Sequence, residues 1–453
     1  MSSIASPIRY PDTGSTQLMT RRGWWLVVLN VLIPGSVQVL AGNRRLGRFG
    51  LVSTLTLWGL AIVALVVYLL WPSVIYTLFT QTLMLWAVQI VAVGYVVLWI
   101  ILTLDTLRLV RLVKAAPAAR ALIAAFSVLL LVVVAGTAAY GAVIAGGARG
   151  ALSGIFSAGP SQPPVNGRYN IMLLGGDAGP DRDGMRPDSM SVVSIDADTG
   201  KAVTIGLPRD LNPTPFSADS PMHALYPNGY GYNDKCDVDV CQLNSIYTEV
   251  ELYKANLYPN ATKQNSEPGI EAMRDALEGA TGLKIQYYVL IDMQGFADLI
   301  DALGGVDINV TQKLPIGGDE NLNGVVSWIM PGEQHMNGYT AQWYARSRHG
   351  TSDYDRMARQ RQLQDAILKQ VNPVNVVTKF NDIAKAGTQV VKTDIPQSML
   401  GYFVDLGMKT RKLPVTNLEL VPPLIDTTDP DYTEIHQLVQ KALAPATPSP
   451  TAG

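Results

Sequence analysis

The sequence predicts an α/β protein, an α-β-α sandwich with a mixed central sheet, preceded by an α-helical transmembrane region. Two observations lead to this prediction. Strand-like and helix-like segments alternate between residues 170 and 310, as in a sheet covered by helices. Long apolar runs occupy most of residues 21–150.

Charge divides the chain into two parts. The first 150 residues carry eleven lysines and arginines against two acidic residues, and the remainder carries 24 basic and 35 acidic residues. A basic, apolar first third suits a lipid bilayer with anionic lipid on its cytoplasmic side. The acidic remainder argues against a nucleic-acid partner.

Three uncharged apolar runs are each long enough to cross a bilayer. They are Phe49–Leu70, Thr82–Leu104 and Ala121–Ala145. An earlier run, Trp24–Leu40, contains Pro34-Gly35, and this pair favours a break in a helix. We therefore expect three spans plus a re-entrant or fourth hydrophobic segment within residues 21–150. No small-residue cleavage site marks a signal peptide.

The loops set the orientation of these spans. Gly42–Arg48 and Asp105–Arg120 are rich in basic residues, whereas Trp71–Gln81 carries no charge. Because positive loops stay inside, residues 1–20 should be cytoplasmic and the chain after Ala145 should be extracytoplasmic. A re-entrant first segment keeps Arg21-Arg22 inside, and we favour this arrangement over a full crossing.

The exported part has three predicted sections. Residues 151–168 include the Pro/Gly/Ser-rich stretch SAGPSQPPVNG and should form a linker. Residues 169–443 should form the folded domain. The tail, residues 444–453, is too poor in apolar residues to fold and should be disordered.

Within the domain, five segments have the composition of strands and two have helical spacing. The predicted strands are NIMLLG, SMSVVSID, KAVTIGL, YYVLID and VDINV. The predicted helices are Glu267–Thr281 and Met293–Leu303, the second of which ends at Gly304-Gly305.

Cys236 and Cys241 lie close together on the side of the membrane that we predict to be oxidising, so we expect a disulfide between them. Zinc binding is not expected, because two thiols with no histidine nearby do not supply four ligands.

Acidic and basic residues flank the first three strands. Asp177 follows the first strand, Asp188 precedes the second and Arg209-Asp210 ends the third. Carboxylates and an arginine gathered along one sheet edge suit a divalent metal with a bound phosphate, since hard cations prefer oxygen ligands. The alternative is that these aspartates, which lie beside glycines, form turns.

A second group of charged residues lies in TAQWYARSRHGTSDYDRMARQRQLQDAI, which runs from Thr340 to Ile367 and contains five arginines. Ser352 or Asp353 should cap a helix that places Arg356, Arg359 and Gln360 on one face. A helix start already carries partial positive charge, so arginines there favour a bound anion. The alternative is a solvated basic face.

These segments, taken in order between Asn170 and Ile425, resemble the LytR-CpsA-Psr domain. The matching segments are Asn170–Asp177, Arg186–Met190, Leu207–Asp210, Leu243–Ser245, Gly295–Val310, Met330–Gly338 and Tyr344–Gln360. No single segment is decisive, but the ordered set is highly specific. The transmembrane region resembles only the family's habit of an N-terminal membrane anchor.

The resemblance implies a phosphotransferase that moves a glycopolymer from a polyprenyl diphosphate carrier to a peptidoglycan hydroxyl at the bilayer surface. It implies that magnesium, or manganese, is held by Asp177 and Asp188, and that Asp188, Arg209, Arg346 and Arg348 are catalytic. The implied substrate-binding residues are Arg182, Arg186, Arg209, Arg346, Arg348, Arg356, Arg359 and Gln360. Family members often have an arginine directly after the first aspartate. Ala178 stands there instead, and Arg182 would supply that charge.

The chemistry fits the residues present. Phosphoryl transfer needs positioning and charge neutralisation, which arginines and a divalent ion provide. A prenyl chain also requires an apolar groove.

Asp353 and Asp355 are candidate proton acceptors, and capping of the helix is the expected role of Asp353. Arg361 should point away from the phosphate site and should tolerate replacement by lysine. The alternatives are a polyprenyl diphosphate hydrolase and a non-catalytic sensor that binds polyprenyl phosphate.

Overall fold

The computed structural model describes residues 8–71, 74–75, 78, 81–157, 159–177, 185–318, 322–347, 352–370 and 391–444, without the side chains of residues 148, 151–153, 177, 293 and 294. The chain divides into two compact units, Met1–Arg149 and Gly150–Gly453. The predicted disordered tail lies outside the described residues, apart from Ala444.

The first unit is helical. Its helices are α1 (Thr16–Leu32), α2 (Ser36–Ala41), α3 (Arg44–Leu70), α4 (Thr82–Val110) and α5 (Pro117–Ile155). Three helical stretches in the described residues are long and apolar enough to cross a membrane, and they coincide with the three predicted spans. These stretches are Arg44–Leu70, Thr82–Lys114 and Pro117–Gly147.

The first hydrophobic segment is broken where its Pro-Gly pair predicts. Helix α1 ends at Leu32 and α2 begins at Ser36. Gly35 between them has a φ of 94°, a left-handed conformation that L side chains rarely adopt. A Cβ at this position would also lie 2.3 Å from the backbone nitrogen of Leu51. Glycine is therefore required for both the turn and the close packing on α3.

Both flanks of this broken segment meet the same residue near the end of α4. Arg22 Nη1 donates a hydrogen bond to the Leu109 carbonyl at 2.9 Å. A Cβ at Gly42 would lie 2.6 Å from Leu109 Cδ1. At the bend, Thr54 Oγ1 donates to the Pro34 carbonyl at 3.3 Å. The chain therefore runs away from Leu109 along α1 and returns to it along α2.

Polar side chains join the two short arms to α4. Asn30 Nδ2 donates to Thr103 Oγ1 at 3.0 Å. Gln38 Nε2 donates to the Leu102 carbonyl at 2.8 Å and to Thr106 Oγ1 at 2.9 Å. Such internal pairing is what a broken helix requires in an apolar medium, where water cannot satisfy its polar groups.

The second unit is built on a six-stranded sheet with the strand order β10-β3-β2-β1-β4-β9. The β1/β4 and β10/β3 pairs are parallel and the other pairs are antiparallel, which confirms the predicted mixed sheet. Strands β5 and β8 form a second sheet, and β6 and β7 form a third. Within the described residues the strands are β1 (Arg168–Asp177), β2 (Arg186–Asp196), β3 (Ala202–Leu207), β4 (Tyr287–Asp292), β5 (Val306–Val310), β6 (Leu314–Gly317), β7 (Val325–Ile329), β8 (Gly332–Met336), β9 (Val391–Thr393) and β10 (Thr416–Glu419).

Helices cover both faces of the main sheet. Along β1, Met172 and Leu174 pack into a core with residues of α8 and α13, whereas Ile171 packs with Leu406 of α12 on the other face. This alternation is the two-residue period of a strand, and it confirms the predicted α-β-α sandwich. The helices of this unit are α6 (Pro221–Leu225), α7 (Ser245–Glu249), α8 (Pro268–Thr281), α9 (Met293–Leu303), α10 (Gly338–Arg346), α11 (Asp353–Gln370), α12 (Leu400–Thr410) and α13 (Tyr432–Leu443).

The stretch predicted as a linker is bound to the second unit at two points. The Ser157 N–H donates to the Ile395 carbonyl at 3.0 Å, and its hydroxyl donates to the Asp394 carbonyl at 2.8 Å. Further along, the Gln162 N–H donates to the Tyr287 hydroxyl at 2.7 Å. The stretch therefore follows the surface of the domain and is not a free chain at these residues.

The predicted disulfide is confirmed. Cys236 and Cys241 are joined by a bond of 1.98 Å. The loop that they close is held from below by the fully buried carboxylate of Glu249, which accepts hydrogen bonds from the Tyr230 hydroxyl at 2.7 Å and the Asp237 N–H at 3.0 Å. The disulfide loop is thus anchored to the folded domain at Glu249, although most of the residues between the two cysteines are exposed.

Candidate active site

The site begins where β2 and β3 lie side by side. Asp188 is near the start of β2, and Arg209 follows the end of β3. Their side chains form an ion pair in which Arg209 Nη1 lies 3.1 Å from Asp188 Oδ1. The Asn244 N–H donates to the Arg209 carbonyl at 3.2 Å, so the Leu243–Ser245 segment supports the backbone of this arginine.

The N-terminal turn of helix α11 contributes the second half of the site. Ser352 Oγ accepts a hydrogen bond from the Asp355 N–H at 3.1 Å, and Asp355 Oδ2 accepts one from the Ser352 N–H at 2.8 Å. This reciprocal arrangement is a capping box with Ser352 as the N-cap. The expectation that Asp353 caps the helix is therefore wrong. Ser352 and Asp355 satisfy the end of the helix, and the carboxylate of Asp353 is available for other partners.

The partners of Asp353 are two arginines. Its Oδ2 lies 3.4 Å from Arg209 Nε, and its Oδ1 lies 3.0 Å from Arg356 Nη2. Arg356 Nη2 also donates to the Asp188 carbonyl at 3.0 Å. Asp188, Arg209, Asp353 and Arg356 therefore form one connected group, which we call the arginine–carboxylate cluster.

Exposure differs within the cluster. Arg356 is only 2% exposed, whereas the side chain of Arg209 is 29% exposed and can meet a ligand from solvent. The cluster contains two cationic and two anionic side chains, so it is formally neutral as it stands. A bound anion could pair with the arginines, and a bound cation could pair with Asp188, in place of the ion pair between Arg209 and Asp188.

Two other predicted ligands support the end of α10. Arg359 Nε donates to the Tyr344 carbonyl at 3.1 Å, and Gln360 Nε2 donates to the Ala345 carbonyl at 3.2 Å. Both side chains are buried, and burial lowers the pKa of the Arg359 guanidinium. Arg346, the last residue of α10, is exposed. These bonds therefore hold in place the segment from which Arg346 projects.

The remaining predicted site residues fall at or beyond the limits of the described structure. Arg182, Arg348 and the side chain of Asp177 lie outside the described residues. The backbone of Asp177 is paired with Arg186 across β1 and β2, and Asp188 is two residues further along β2. The backbones of the two predicted metal ligands therefore lie on adjacent antiparallel strands.

Arg361 points away from the cluster, as the sequence predicts, but it is buried. Its Nε lies 2.9 Å from Glu419 Oε1, and its Nη1 donates to Ser191 Oγ at 3.1 Å. This residue therefore has structural partners, and the expectation that it tolerates lysine is revised below. Glu419 was not singled out by the sequence, because nothing in its local pattern indicates a partner on α11.

An apolar cavity of about 490 Å³ lies between the sheet and helices α9, α11 and α12. Its lining is aliphatic and aromatic over most of its length. The main lining residues are Leu173, Ile291, Phe296, Leu299, Ile300, Leu303, Leu363, Ile367, Leu368, Phe403, Val404 and Met408. Helix α12 was not predicted, although the apolar residues of LGYFVDLGMK have helical spacing that could have indicated it.

The cavity adjoins the arginine–carboxylate cluster at two places. Ser189 lines the cavity and directly follows Asp188, and Gln360 lines it one helical turn after Arg356. The site therefore combines an apolar chamber with a charged end. This combination fits a ligand that has a long apolar chain and an anionic head group.

Three comparisons place the chain among known proteins. A model described as the LytR_cpsA_psr family matches residues 157–422. Cell wall biosynthesis protein LcpA of Corynebacterium glutamicum is 25% identical over 371 residues, which is 74% of this chain and 67% of that protein. The polyisoprenyl-teichoic acid–peptidoglycan teichoic acid transferase TagU of Bacillus mycoides is 25% identical over 233 residues, which is 51% of this chain and 62% of that protein.

Among solved structures, TagV of Bacillus subtilis is 21% identical, with a TM-score of 0.43 over 61% of this chain and 97% of that one. The chain spans about half to two thirds of the length of the curated relatives that it matches. The family model covers more than half of the sequence, in the same region that contains the sheet, the cluster and the cavity. The chain therefore belongs to the LytR-CpsA-Psr family.

Proposed function

We propose that this chain transfers a glycopolymer phosphate from a polyprenyl diphosphate carrier to a hydroxyl of peptidoglycan, forming a phosphodiester link. The observation that carries the proposal is an apolar cavity of about 490 Å³ that adjoins the arginine–carboxylate cluster. The name of the related TagU, which describes transfer of polyisoprenyl-linked teichoic acid to peptidoglycan, supports the same reaction.

The cavity would receive the prenyl chain of the carrier. Burial of each CH₂ group is worth about 0.8 kcal/mol, so a long prenyl chain left in water would be strongly unfavourable. The walls contributed by Phe296, Leu363 and Phe403 can shield that chain while the head group lies at the cluster.

The arginines would bind the diphosphate. A guanidinium presents a planar fork that matches phosphate oxygens in pairs, and Arg209 is both partly exposed and already oriented by two carboxylates. Arg356 is held next to it by Asp353. The further proposed substrate contacts are Arg182, Arg186, Arg346, Arg348, Arg359 and Gln360.

Asp177 and Asp188 would hold a magnesium ion, with manganese as the alternative. The backbone register fits this role, since it places the two aspartates on adjacent strands, and the carboxylate of Asp188 is paired with a cationic group in the structure. When bound, the ion would supply charge neutralisation at the phosphate oxygens. Asp188 would then exchange its partner Arg209 for the metal, which leaves Arg209 to the diphosphate.

The reaction itself is a displacement at phosphorus. The acceptor hydroxyl oxygen forms a bond to the phosphorus that carries the glycopolymer, the bond from that phosphorus to the bridging oxygen breaks, and polyprenyl phosphate leaves. The proton of the hydroxyl passes to the leaving phosphate or to water. Arg209 and Arg356 neutralise the charge that develops on the phosphate oxygens.

Neither Asp353 nor Asp355, the two candidate proton acceptors on α11, is well suited to accept the proton of the acceptor hydroxyl. Hydrogen bonds from the Ser352 backbone and hydroxyl lower the pKa of Asp355, which makes it a weak base. Asp353 is paired with two guanidinium groups, so we assign it the role of positioning Arg209 and Arg356.

We also propose that the first unit is embedded in the membrane with three spans and a re-entrant first segment. The contacts of Arg22 and Gly42 with Leu109 support this arrangement, because they bring both flanks of the segment together. The bend contacts Thr54, ten residues into α3, which corresponds to about 15 Å of helix or half of a bilayer core. A reporter that is active only in the cytoplasm should be inactive when fused at Ser161.

The transfer reaction can be tested directly. The full chain is incubated with lipid-linked saccharide, magnesium and peptidoglycan fragments, and the products are analysed by mass spectrometry. A phosphodiester-linked saccharide on peptidoglycan is the expected product. Free saccharide phosphate alone would show a hydrolase, and retention of the carrier lipid without any product would show a binding protein.

A further inference from the structure

A second groove lies in the first unit, along one face of helix α1. It has a volume of about 600 Å³. Its lining residues are Ile8, Ser15, Gln17, Leu18, Arg21, Arg22, Trp25, Leu26 and Leu29. From Ser15 to Leu29 the groove follows α1 for about 21 Å, the rise of fourteen helical residues.

The charged end of this groove lacks a counter-ion within the described part of the chain. Arg22 is only 8% exposed, and its guanidinium donates to the carbonyls of Ile8 at 2.7 Å and Leu109 at 2.9 Å. A second cationic side chain, Arg111, acts electrostatically on this guanidinium.

The first 150 residues contain only two acidic side chains, Asp12 and Asp105, and among the described residues neither forms an ion pair with Arg22. Residues 1–7 contain no acidic side chain that could fill the groove and neutralise it. A buried cation without a counter-charge is unfavourable, so a bound anion would stabilise this site.

The other end of the groove is apolar. Trp25 is 57% exposed although it lines the groove, and Leu26 and Leu29 continue the apolar surface. Arg22 lies level with Leu109 at the end of α4, where the basic connection begins. The next residue after Leu29, Asn30, is bonded to Thr103, deeper along the same helix. The charged part of the groove therefore lies level with the end of α4, and its apolar part lies further along α4, towards the middle of that helix.

We propose that this groove binds an anionic glycerophospholipid of the cytoplasmic leaflet. The phosphate lies between Arg21 and Arg22, and an acyl chain follows Trp25 and Leu29 towards the bilayer centre. Clusters of basic residues on the cytoplasmic side of a membrane protein attract such head groups, and here two arginines of α1 line the same groove. The proposal rests on the proposed membrane topology and is independent of the transfer reaction. A bound lipid neutralises Arg22 and fixes α1 against α4.

The test uses the full chain in a neutral detergent, with phosphatidylglycerol and phosphatidylcholine of identical acyl chains. Native mass spectrometry measures how much of each lipid the protein retains. Phosphatidylglycerol should be retained preferentially. Arg21→Gln should weaken its binding about fivefold, the effect expected for one basic residue, and Arg21→Gln with Arg22→Gln should weaken it further. The matched control is Arg45→Gln, an exposed arginine at the start of α3 outside the groove.

Arg21 is exposed, so its single variant should fold even where the double variant does not, and circular dichroism checks the helix content of each. Equal retention of the two lipids, or equal weakening by Arg21→Gln and Arg45→Gln, would overturn the proposal. Displacement of phosphatidylglycerol by polyprenyl phosphate at lower concentration would overturn it too, by assigning the groove to the carrier lipid. None of these three results depends on whether the purified chain transfers glycopolymer.

Discussion

The guanidinium of Arg361 and the carboxylate of Glu419 lie 2.9 Å apart and join helix α11 to the edge strand β10. Burial raises the pKa of Glu419 above its ordinary value, and this effect outweighs the opposite effect of the Arg361 charge. The pair is packed so closely on Gly206 that a Cβ there would lie 2.0 Å from Glu419 Oε2. Arg361 also donates to Ser191 Oγ at 3.1 Å and to the Met190 carbonyl at 3.4 Å. This arginine therefore connects α11 with two strands of the sheet.

We predict that Arg361→Lys lowers the free energy of unfolding by about 1–3 kcal/mol, because lysine cannot reach all these acceptors and leaves buried ones unpaired. Urea denaturation of Gly150–Gly453 measures the change. Lys412→Arg is the control, since Lys412 is exposed and this exchange should have little effect. A loss for Arg361→Lys no larger than for the control would show that the pair contributes little.

Arg356 occupies the same helix but belongs to the arginine–carboxylate cluster. Arg356→Lys keeps the charge and loses the bidentate fork, so the transfer rate should fall at least about tenfold. Because Arg356 is buried and paired with Asp353, stability should fall as well, contrary to the expectation for a surface residue. Rates must therefore be compared per folded molecule. Equal specific activity of Arg356→Lys and Arg361→Lys would exclude Arg356 from the site.

Asp353 and Asp355 offer a matched pair of substitutions. Asp355→Ala removes half of the capping box and should cost about 1 kcal/mol of stability with little change in rate. Asp353→Ala releases both Arg209 and Arg356, so kcat should fall at least about tenfold. The measurements are kcat for transfer and the midpoint of thermal unfolding. A loss of kcat in Asp355→Ala alone would reverse the two assignments.

The cavity can be narrowed without disturbing its walls. Gly407 of α12 lines the cavity, and a Cβ built there meets nothing within 4 Å. Gly407→Phe should fill part of the space and reduce transfer from a full-length prenyl carrier more than from a short-chain analogue. Gly407→Ala is the control and should increase stability by up to about 1 kcal/mol, since glycine is a poor helix former. Equal effects of Gly407→Phe on both carriers would argue against lipid binding in this cavity.

Asp275 on α8 should make stability depend on pH. Burial raises the pKa of Asp275 to about 6, and its Oδ2 accepts a hydrogen bond from the Tyr258 hydroxyl at 2.7 Å. The folded state therefore favours the protonated acid, and its ionisation costs stability as the pH rises from about 4 to 6. In the Asp275→Asn variant the amide does not ionise and can still accept the bond. Relative to this variant, the wild type should lose up to about 3 kcal/mol over this range. Parallel pH profiles of unfolding would contradict the assignment.

The sequence was most informative where local patterns decide the structure. Sequence patterns predicted four of the six strands of the main sheet, β1 to β4, but not the edge strands β9 and β10. They also predicted β5 of the second sheet and helices α8 and α9, and the break at Pro34-Gly35 follows from backbone chemistry. The arginines and aspartates near Asp188 and Arg356 were recognised as one site because their segments match a family in order. The close approach of Asp188, Arg209, Asp353 and Arg356 is a property of the folded chain.

Other features depend on contacts between distant segments, and they could not be read from local pattern. Glu419 is 58 residues from its partner Arg361. The choice between Ser352 and Asp353 as N-cap was open in the sequence, since both residue types cap helices well. It is decided by Asp355, which completes the box with Ser352, and by the two arginines that attract Asp353.

The attachment of Ser157 to the domain limits the length of free chain between the apolar helices and the domain. The last described helical stretch that is long and apolar enough to cross a membrane ends at Gly147, and Ser157 is already hydrogen-bonded to residues 394 and 395. Ten residue steps reach at most about 35 Å when extended and about 15 Å as a helix. With the first unit in the membrane as proposed, the chain length would limit how far Ser157, where the domain is attached, can lie from the lipid head groups. In the proposed reaction the carrier would therefore stay in the bilayer, and the wall strand that accepts the glycopolymer would have to come to the membrane.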